Sequence, residues 1–163
     1  LPMVGFSIFL AVAVYRLCPN ARMSWYILLA IVIVFSLLCY ERNKVWQTEV
    51  GLWEDVLQKN PKTMVHYLAL GVSYERKERW REAAAVYQQG IRMYERHELT
   101  DASPGIQRVY LSRIYNNLGI IAIDHERDSA RAMELFRRGL EIDKNNADAY
   151  NNLRILVGGS ADR

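Results

Sequence analysis

Acidic residues are missing from the first quarter of this 163-residue chain. Residues 1–40 contain no Asp, Glu or Lys, and their only charged side chains are Arg16 and Arg22. All 18 acidic residues and 19 of the 21 basic residues lie in residues 41–163, which leaves this larger part a formal charge of +1. Because a nucleic-acid binder normally has a basic excess, we expect no nucleic-acid partner.

Residues that form disulfides or bind metals are also few. The two cysteines, Cys18 and Cys39, would lie near opposite ends of apolar helices, whereas a disulfide needs Cα atoms within about 7 Å. The chain has no Cys-x-x-Cys pair, and its three histidines are far apart in sequence. Acidic residues are scattered as well. We therefore expect no metal site, no cofactor and no catalytic constellation in this chain.

Two apolar runs predict a transmembrane helical hairpin over residues 1–40. The first run covers residues 3–15, and the second extends from Trp25 to Tyr40. Sixteen helical residues span roughly 25 Å, near the lower limit for crossing a bilayer. Aromatic residues at the ends of the second run suit the headgroup region. A buried pair of core helices is the alternative.

The start of the chain fits the interior of a membrane protein better than a signal peptide. Leu1 and Pro2 open an apolar stretch without a basic segment before it, and two apolar runs follow where a signal peptide has one. We expect that a larger membrane portion lies upstream. Lys and Arg counts on the two sides of the predicted hairpin are almost equal, so they do not fix its orientation.

The tetrapeptide Tyr-Asn-Asn-Leu occurs twice, at Tyr115–Leu118 and Tyr150–Leu153, thirty-five residues apart. A period in the thirties is typical of helical repeats, and the tetratricopeptide repeat is a 34-residue helix–turn–helix. Numbered from Met64, one copy has small or aromatic residues at the expected positions, namely Tyr67, Leu70, Gly71, Tyr74, Ala83, Tyr87 and Gly90. A second copy supplies Tyr115, Leu118, Gly119, Ala122, Ala132, Phe136 and Gly139. A third begins at Ala147, and Arg154 replaces its expected glycine.

The predicted fold is all-α, with two transmembrane helices followed by a tetratricopeptide-repeat α-solenoid of about three units. Residues 41–61 are interpreted as a degenerate leading repeat helix at the membrane junction, and residues 62–163 as the repeats, with an inserted loop near 97–105. The predicted helix boundaries follow from Pro61 and from capping residues. These helices are Trp46–Lys59, 104–124 after Ser103, 129–143 capped by Asp128, and 147–157 capped by Asn146.

The first helix of each such repeat has positions that tend to face the concave side of the array. Among the residues at those positions we predict a partner-binding groove made of Arg76, Arg113, Asn116, Asn117, Asp124, Asn151 and Asn152. The Asn-Asn pairs would donate to and accept from an extended peptide backbone. Alternatively, these asparagines bond neighbouring helices to each other. Leu68 and Val72 are apolar where carboxylate-clamping repeats are polar, so a clamp for a terminal carboxylate is not expected.

The junction has a distinctive sequence: Tyr40-Glu41-Arg42-Asn43-Lys44-Val45-Trp46, then Leu52-Trp53, then Lys59-Asn60-Pro61. It resembles the join between the last membrane helix and the repeats in transmembrane O-mannosyltransferases and related bacterial proteins of the GT-C glycosyltransferase fold. The resemblance implies a lipid-linked sugar donor, a protein acceptor, and repeats on the periplasmic or lumenal side. It also implies that the catalytic acids lie upstream, since residues 1–40 have none.

Two functions remain open from the sequence. In one, the chain is the C-terminal tail of a glycosyltransferase-like integral membrane protein, and its repeats recruit a protein acceptor or partner. In the other, it is a non-enzymatic, membrane-tethered scaffold for assembly of an envelope complex. Both predict a lipid bilayer and a protein or peptide ligand as partners. In the first, the lipid-linked sugar donor would be bound by the missing N-terminal part.

Overall fold

The computed structural model describes residues 2–17, 20–100 and 103–161. Every regular element in these ranges is helical, which confirms the all-α prediction. A single 3-10 turn, Val45–Gln47, accompanies the α-helices. These are α1 (Pro2–Leu17), α2 (Ala21–Lys44), α3 (Glu49–Lys59), α4 (Met64–Glu75), α5 (Trp80–Glu95), α6 (Pro104–Asp124), α7 (Ser129–Ile142) and α8 (Ala147–Ala161). The chain divides into two compact units, Leu1–Gln47 and Thr48–Arg163.

In the first unit, α1 packs against α2. Among the described residues, α2 is the one helix that is long and apolar enough to cross a membrane. Its 24 residues extend over about 36 Å, and its apolar side chains are mostly exposed, as in Val32 and Leu38. The 16 residues of α1 fall short of the roughly 20 that a span needs. Cys18 lies outside the described residues, and Cys39 is an exposed free thiol.

The boundary between α2 and α3 differs from the sequence prediction. α2 continues past Tyr40 to Lys44, whose ammonium lies 2.7 Å from the Glu41 carboxylate. α3 begins at Glu49 and not at Trp46, because Thr48 is extended and its hydroxyl accepts a hydrogen bond from the Gly51 amide at 3.0 Å. This is an ordinary N-cap, and it sets the helix start. The predicted end at Lys59 is correct.

The later helix boundaries agree with the predictions at most points. The Asp128 carboxylate accepts from the Arg131 amide at 2.9 Å, and the Asn146 side chain accepts from Ala149 at 3.1 Å, so both act as N-caps. Ser103 precedes α6 but makes no capping bond. α8 continues through Gly158 to Ala161, since glycine weakens a helix by only about 0.5–1 kcal/mol. Of the predicted loop near 97–105, residues 101 and 102 lie outside the described residues.

Two helical hairpins of the second unit, α4–α5 and α6–α7, have the same interior contacts. A Cβ added at Gly71 would lie 2.0 Å from the Tyr87 ring, and one at Gly119 would lie 2.4 Å from the Phe136 ring. Both rings are fully buried. Glycine is required at these two points, because any side chain would occupy the space of an aromatic ring.

A second pair of contacts recurs in the same way. A Cβ added at Gly90 would lie 2.9 Å from the Cβ of Tyr67, and one at Gly139 would lie 3.5 Å from the Cβ of Tyr115. Small residues on α5 and α7 thus let the facing tyrosines of α4 and α6 pack against backbone. The residues that form these contacts are those that the repeat register of the sequence aligned.

α6 is the central helix of the second unit, because it packs against α4, α5, α7 and α8. Ser112 of α6 is fully buried and donates to the Gly139 carbonyl at 2.7 Å. The Asn146 amide donates to the Ser112 hydroxyl at 2.8 Å. These two bonds join α6, α7 and the start of α8 in a buried place where an unpaired polar group would be costly.

Candidate partner-binding face

One side of α6 is exposed along its length. Arg113, Asn117, Ile120 and Asp124 are spaced by four, three and four residues, which aligns them on a single helix face. Arg113, Ile120 and Asp124 are exposed, and Asn117 is half-buried. The opposite side of α6 is the buried one, with Leu111, Ile114, Leu118 and Ile121. The exposed stripe therefore combines a cation, an amide, an aliphatic side chain and an anion.

The seven predicted groove residues have different surroundings. Four are exposed to solvent: Arg76, Arg113, Asp124 and Asn151. Two are half-buried, Asn117 and Asn152. Asn116 is buried, with 6% of its surface exposed. The exposed group is accessible to a partner, whereas the amides of the others have partners inside the protein.

These inner amides belong to a chain of hydrogen bonds that crosses four helices. The Asn152 amide of α8 donates to the Asn116 carbonyl oxygen of α6 at 2.9 Å, and Asn116 donates to Asn117 at 3.3 Å. The Asn117 amide donates to the Tyr87 hydroxyl of α5 at 2.9 Å, and that hydroxyl donates to the Glu75 carboxylate of α4 at 2.8 Å. The asparagines thus bond neighbouring helices, as the alternative interpretation of the Asn pairs expected.

The last two members of this series of hydrogen bonds, Tyr87 and Glu75, have raised pKa values. Burial raises the pKa of the Glu75 carboxyl, and the hydrogen bond from Tyr87 partly offsets that effect. Burial, together with the nearby Glu75 carboxylate, raises the pKa of the Tyr87 phenol. Tyr87 therefore keeps its proton at neutral pH. Its hydroxyl donates a hydrogen bond to the Glu75 carboxylate and accepts one from the Asn117 amide. The donor and the acceptor of each of these two hydrogen bonds are therefore fixed.

Arg76 makes a different kind of contact. Its guanidinium lies 2.6 Å from the Glu49 carboxylate, and the two side chains are 63% and 40% exposed. Exposed ion pairs of this kind contribute about 0–1 kcal/mol. Arg76 is therefore weakly held and remains accessible to an external anion.

One exposed residue on this side was missed by the sequence prediction. Ile155 of α8 is 67% exposed. It occupies the ninth position of its repeat copy, which Val72 holds in α4 and Ile120 in α6. The repeat register would have found it, since it places these three residues at the same position. Since β-branched side chains are stiff about χ1, such residues lose little conformational entropy when a ligand covers them.

The described residues contain no cluster of three or more His, Cys, Asp or Glu side chains that could hold a metal ion. Some charged residues near the hairpin turns are paired with each other, as in Arg79 with Glu82 at 2.9 Å and Arg131 with Glu126. No protein-family model matches the chain, and no curated protein matches it either. Its function is therefore inferred from its side chains and their placement.

Proposed function

We propose that residues 48–163 are a tetratricopeptide-type array that binds a protein partner on the face formed by α4, α6 and α8, while α2 anchors the chain in a membrane. The observation that carries the binding claim is the exposed stripe of α6. Arg113, Ile120 and Asp124 offer a cation, an apolar surface and an anion on one helix face, next to Asn151 and Ile155 of α8.

The repeat assignment rests on the paired contacts of the two hairpins. Glycine at position eight meets an aromatic ring from the second helix in both, as Gly71 does with Tyr87 and Gly119 with Phe136. Helical repeats of this kind stack into extended surfaces whose function is to hold other proteins. Because the inner amides already bond helix to helix, the partner would contact the exposed residues and not Asn116.

The sequence of the junction between α2 and the array supports a narrower proposal about the whole protein. The junction from Tyr40 to Pro61 resembles that of the membrane O-mannosyltransferases, and on this basis we propose that the chain is the C-terminal part of such a polytopic protein. Its array would lie on the periplasmic or lumenal side and present a protein acceptor. The lipid-linked sugar donor and the catalytic acids would belong to the upstream part, because residues 1–40 contain no Asp or Glu.

A photo-crosslinking amino acid at Ile120 tests the binding face in native membranes. Glu134 of α7, whose side chain is 65% exposed, is the matched control position away from the stripe. We expect one discrete protein adduct from Ile120, none from Glu134, and loss of the adduct when Arg113→Glu is added. Equal adducts from both positions would contradict the proposal. If the captured protein is never glycosylated, the chain serves as a membrane-tethered scaffold and not as an acceptor site.

A further inference from the structure

The three repeat tyrosines at position four differ sharply in exposure. Tyr67 of α4 is 0% exposed and Tyr115 of α6 is 7% exposed, whereas Tyr150 of α8 is 59% exposed. The first two are covered by the second helix of their own hairpin, through Gly90 of α5 and Gly139 of α7. Among the described residues, α8 packs only against α6 and α7. The side of α8 that carries Tyr150 therefore has no second helix on it.

The same side of α8 carries a charge that the other copies lack. Arg154 stands where the first two copies have Gly71 and Gly119, one turn after Tyr150. It is exposed and makes no ion pair with the part of the chain that the structure describes. An aromatic ring could not approach Arg154 as closely as Tyr87 approaches Gly71. A covering helix must therefore present a different residue at this point.

We propose that the edge formed by Tyr150 and Arg154 receives an amphipathic helix from a separate protein, with a carboxylate facing Arg154 and a Gly or Ala facing Tyr150. The spacing of these two residues follows from the hairpins already present. Tyr87 precedes Gly90 by three residues, and Phe136 precedes Gly139 by three. The occupant thus has the pattern Asp/Glu-x-x-Gly/Ala on its contact side, in the place that α5 holds on α4 and α7 holds on α6.

A second copy of this chain does not supply that pattern. Two α8 helices packed antiparallel about the centre of this edge would place Arg154 of each copy opposite Tyr150 of the other, so that no carboxylate would face Arg154 and no Gly or Ala would face Tyr150. The residues of this edge differ from Asn151 and Ile155, the α8 residues of the partner-binding face. Each surface can therefore be changed without substituting a residue of the other.

The probe is a pair of stapled, fluorescent peptides based on the α7 sequence Ser129–Ile142, whose Gly139 supplies the small residue. One peptide has Phe136→Glu and the matched control has Phe136→Lys. The staple is needed because isolated helices of this length are only marginally stable in water. Binding to the full chain in lipid nanodiscs is measured by fluorescence anisotropy. We expect the glutamate peptide to bind about fivefold more tightly than the lysine peptide.

Two variants of the chain decide the result. Arg154→Glu should reverse the preference between the peptides, and Tyr150→Asp should abolish binding of both. Each change is at an exposed side chain, and an unchanged circular dichroism spectrum verifies the fold. The proposal is overturned if neither peptide binds, if Arg154→Glu leaves the preference unchanged, or if sedimentation finds a dimer that Tyr150→Asp dissolves, since a second copy would then occupy the edge.

Discussion

The contact between Gly71 and the Tyr87 ring gives the sharpest test of the packing. In a Gly71→Ala variant the new methyl group would lie 2.0 Å from one ring carbon and 2.4 Å from the next. Ordinary carbon contacts are about 3.5–4.0 Å, so the ring must move by about 1.5 Å. Because Tyr87 is fully buried, it has no solvent into which it can move. The same movement would disturb its hydrogen bonds to Glu75 and Asn117.

The expected magnitude combines three effects. Overpacking costs about 1–3 kcal/mol, and each disturbed hydrogen bond costs about 1 kcal/mol. The better helix propensity of alanine returns about 1 kcal/mol. We therefore expect the free energy of unfolding to fall by about 2 kcal/mol or more. For a unit of roughly 100 residues this lowers the thermal midpoint by at least about 8 °C.

The assay is thermal unfolding of the full chain in detergent, followed by circular dichroism at the helix minimum. Gly158→Ala is the matched control, because Gly158 also lies inside a helix and an added Cβ there meets no atom within 4 Å. That variant should keep or slightly raise the midpoint. If Gly71→Ala behaves like Gly158→Ala, the two helices are not in the close contact described here.

Three further changes probe other parts of the molecule. Glu75→Gln should raise the free energy of unfolding at neutral pH, because burial raises the pKa of this carboxyl and so disfavours its charged form, while the amide still accepts from Tyr87. Ser112→Ala should cost about 1–3 kcal/mol in chemical denaturation, since it leaves the buried Asn146 amide without its acceptor. Val32→Arg, near the middle of α2, should cost about 2.5–3.5 kcal/mol of membrane insertion and release the chain in alkaline carbonate extraction.

Each of these changes has a control. Because the pKa of the Glu75 carboxyl is higher in the folded than in the unfolded state, this group stabilises the fold below its unfolded pKa, and the stabilisation is lost as pH rises through its folded pKa. Wild type should therefore gain stability on acidification, and the Gln variant should lack that gain. Ser73→Ala removes a bond within its own helix and should cost less than Ser112→Ala. Gln58→Arg, on the exposed side of α3, should leave membrane extraction unchanged. Equal results in any pair would contradict the corresponding assignment.

The sequence predicted the helices of the second unit well, because their starts and contacts depend on single residues. Asp128 and Asn146 cap the helices that follow them, as their side-chain chemistry predicts. Gly71 and Gly119 were identified from the repeat period, and each lies under an aromatic ring. Such features are local or repeat at a fixed spacing, so one sequence is enough to find them.

The remaining differences come from contacts that no short pattern contains. Trp46 was placed in α3, but the Thr48 cap starts that helix later. The sequence left open whether the asparagines at positions 116 and 117 bind a ligand or bond neighbouring helices, because their partners, Asn152 and Tyr87, are thirty or more residues away. An exposed position and a position that faces a neighbouring helix have the same periodicity, so the repeat register alone cannot separate them.

The partner-binding face is tested most directly by cysteine accessibility in native membranes. In a chain with Cys18 and Cys39 replaced by serine, Ile120→Cys and Glu134→Cys are each labelled with a membrane-impermeant maleimide, before and after purification in detergent. We predict that Ile120→Cys reacts slowly in native membranes and quickly once purified, whereas Glu134→Cys reacts quickly in both. Equal and rapid labelling of Ile120→Cys in both states would mean that no partner covers this face.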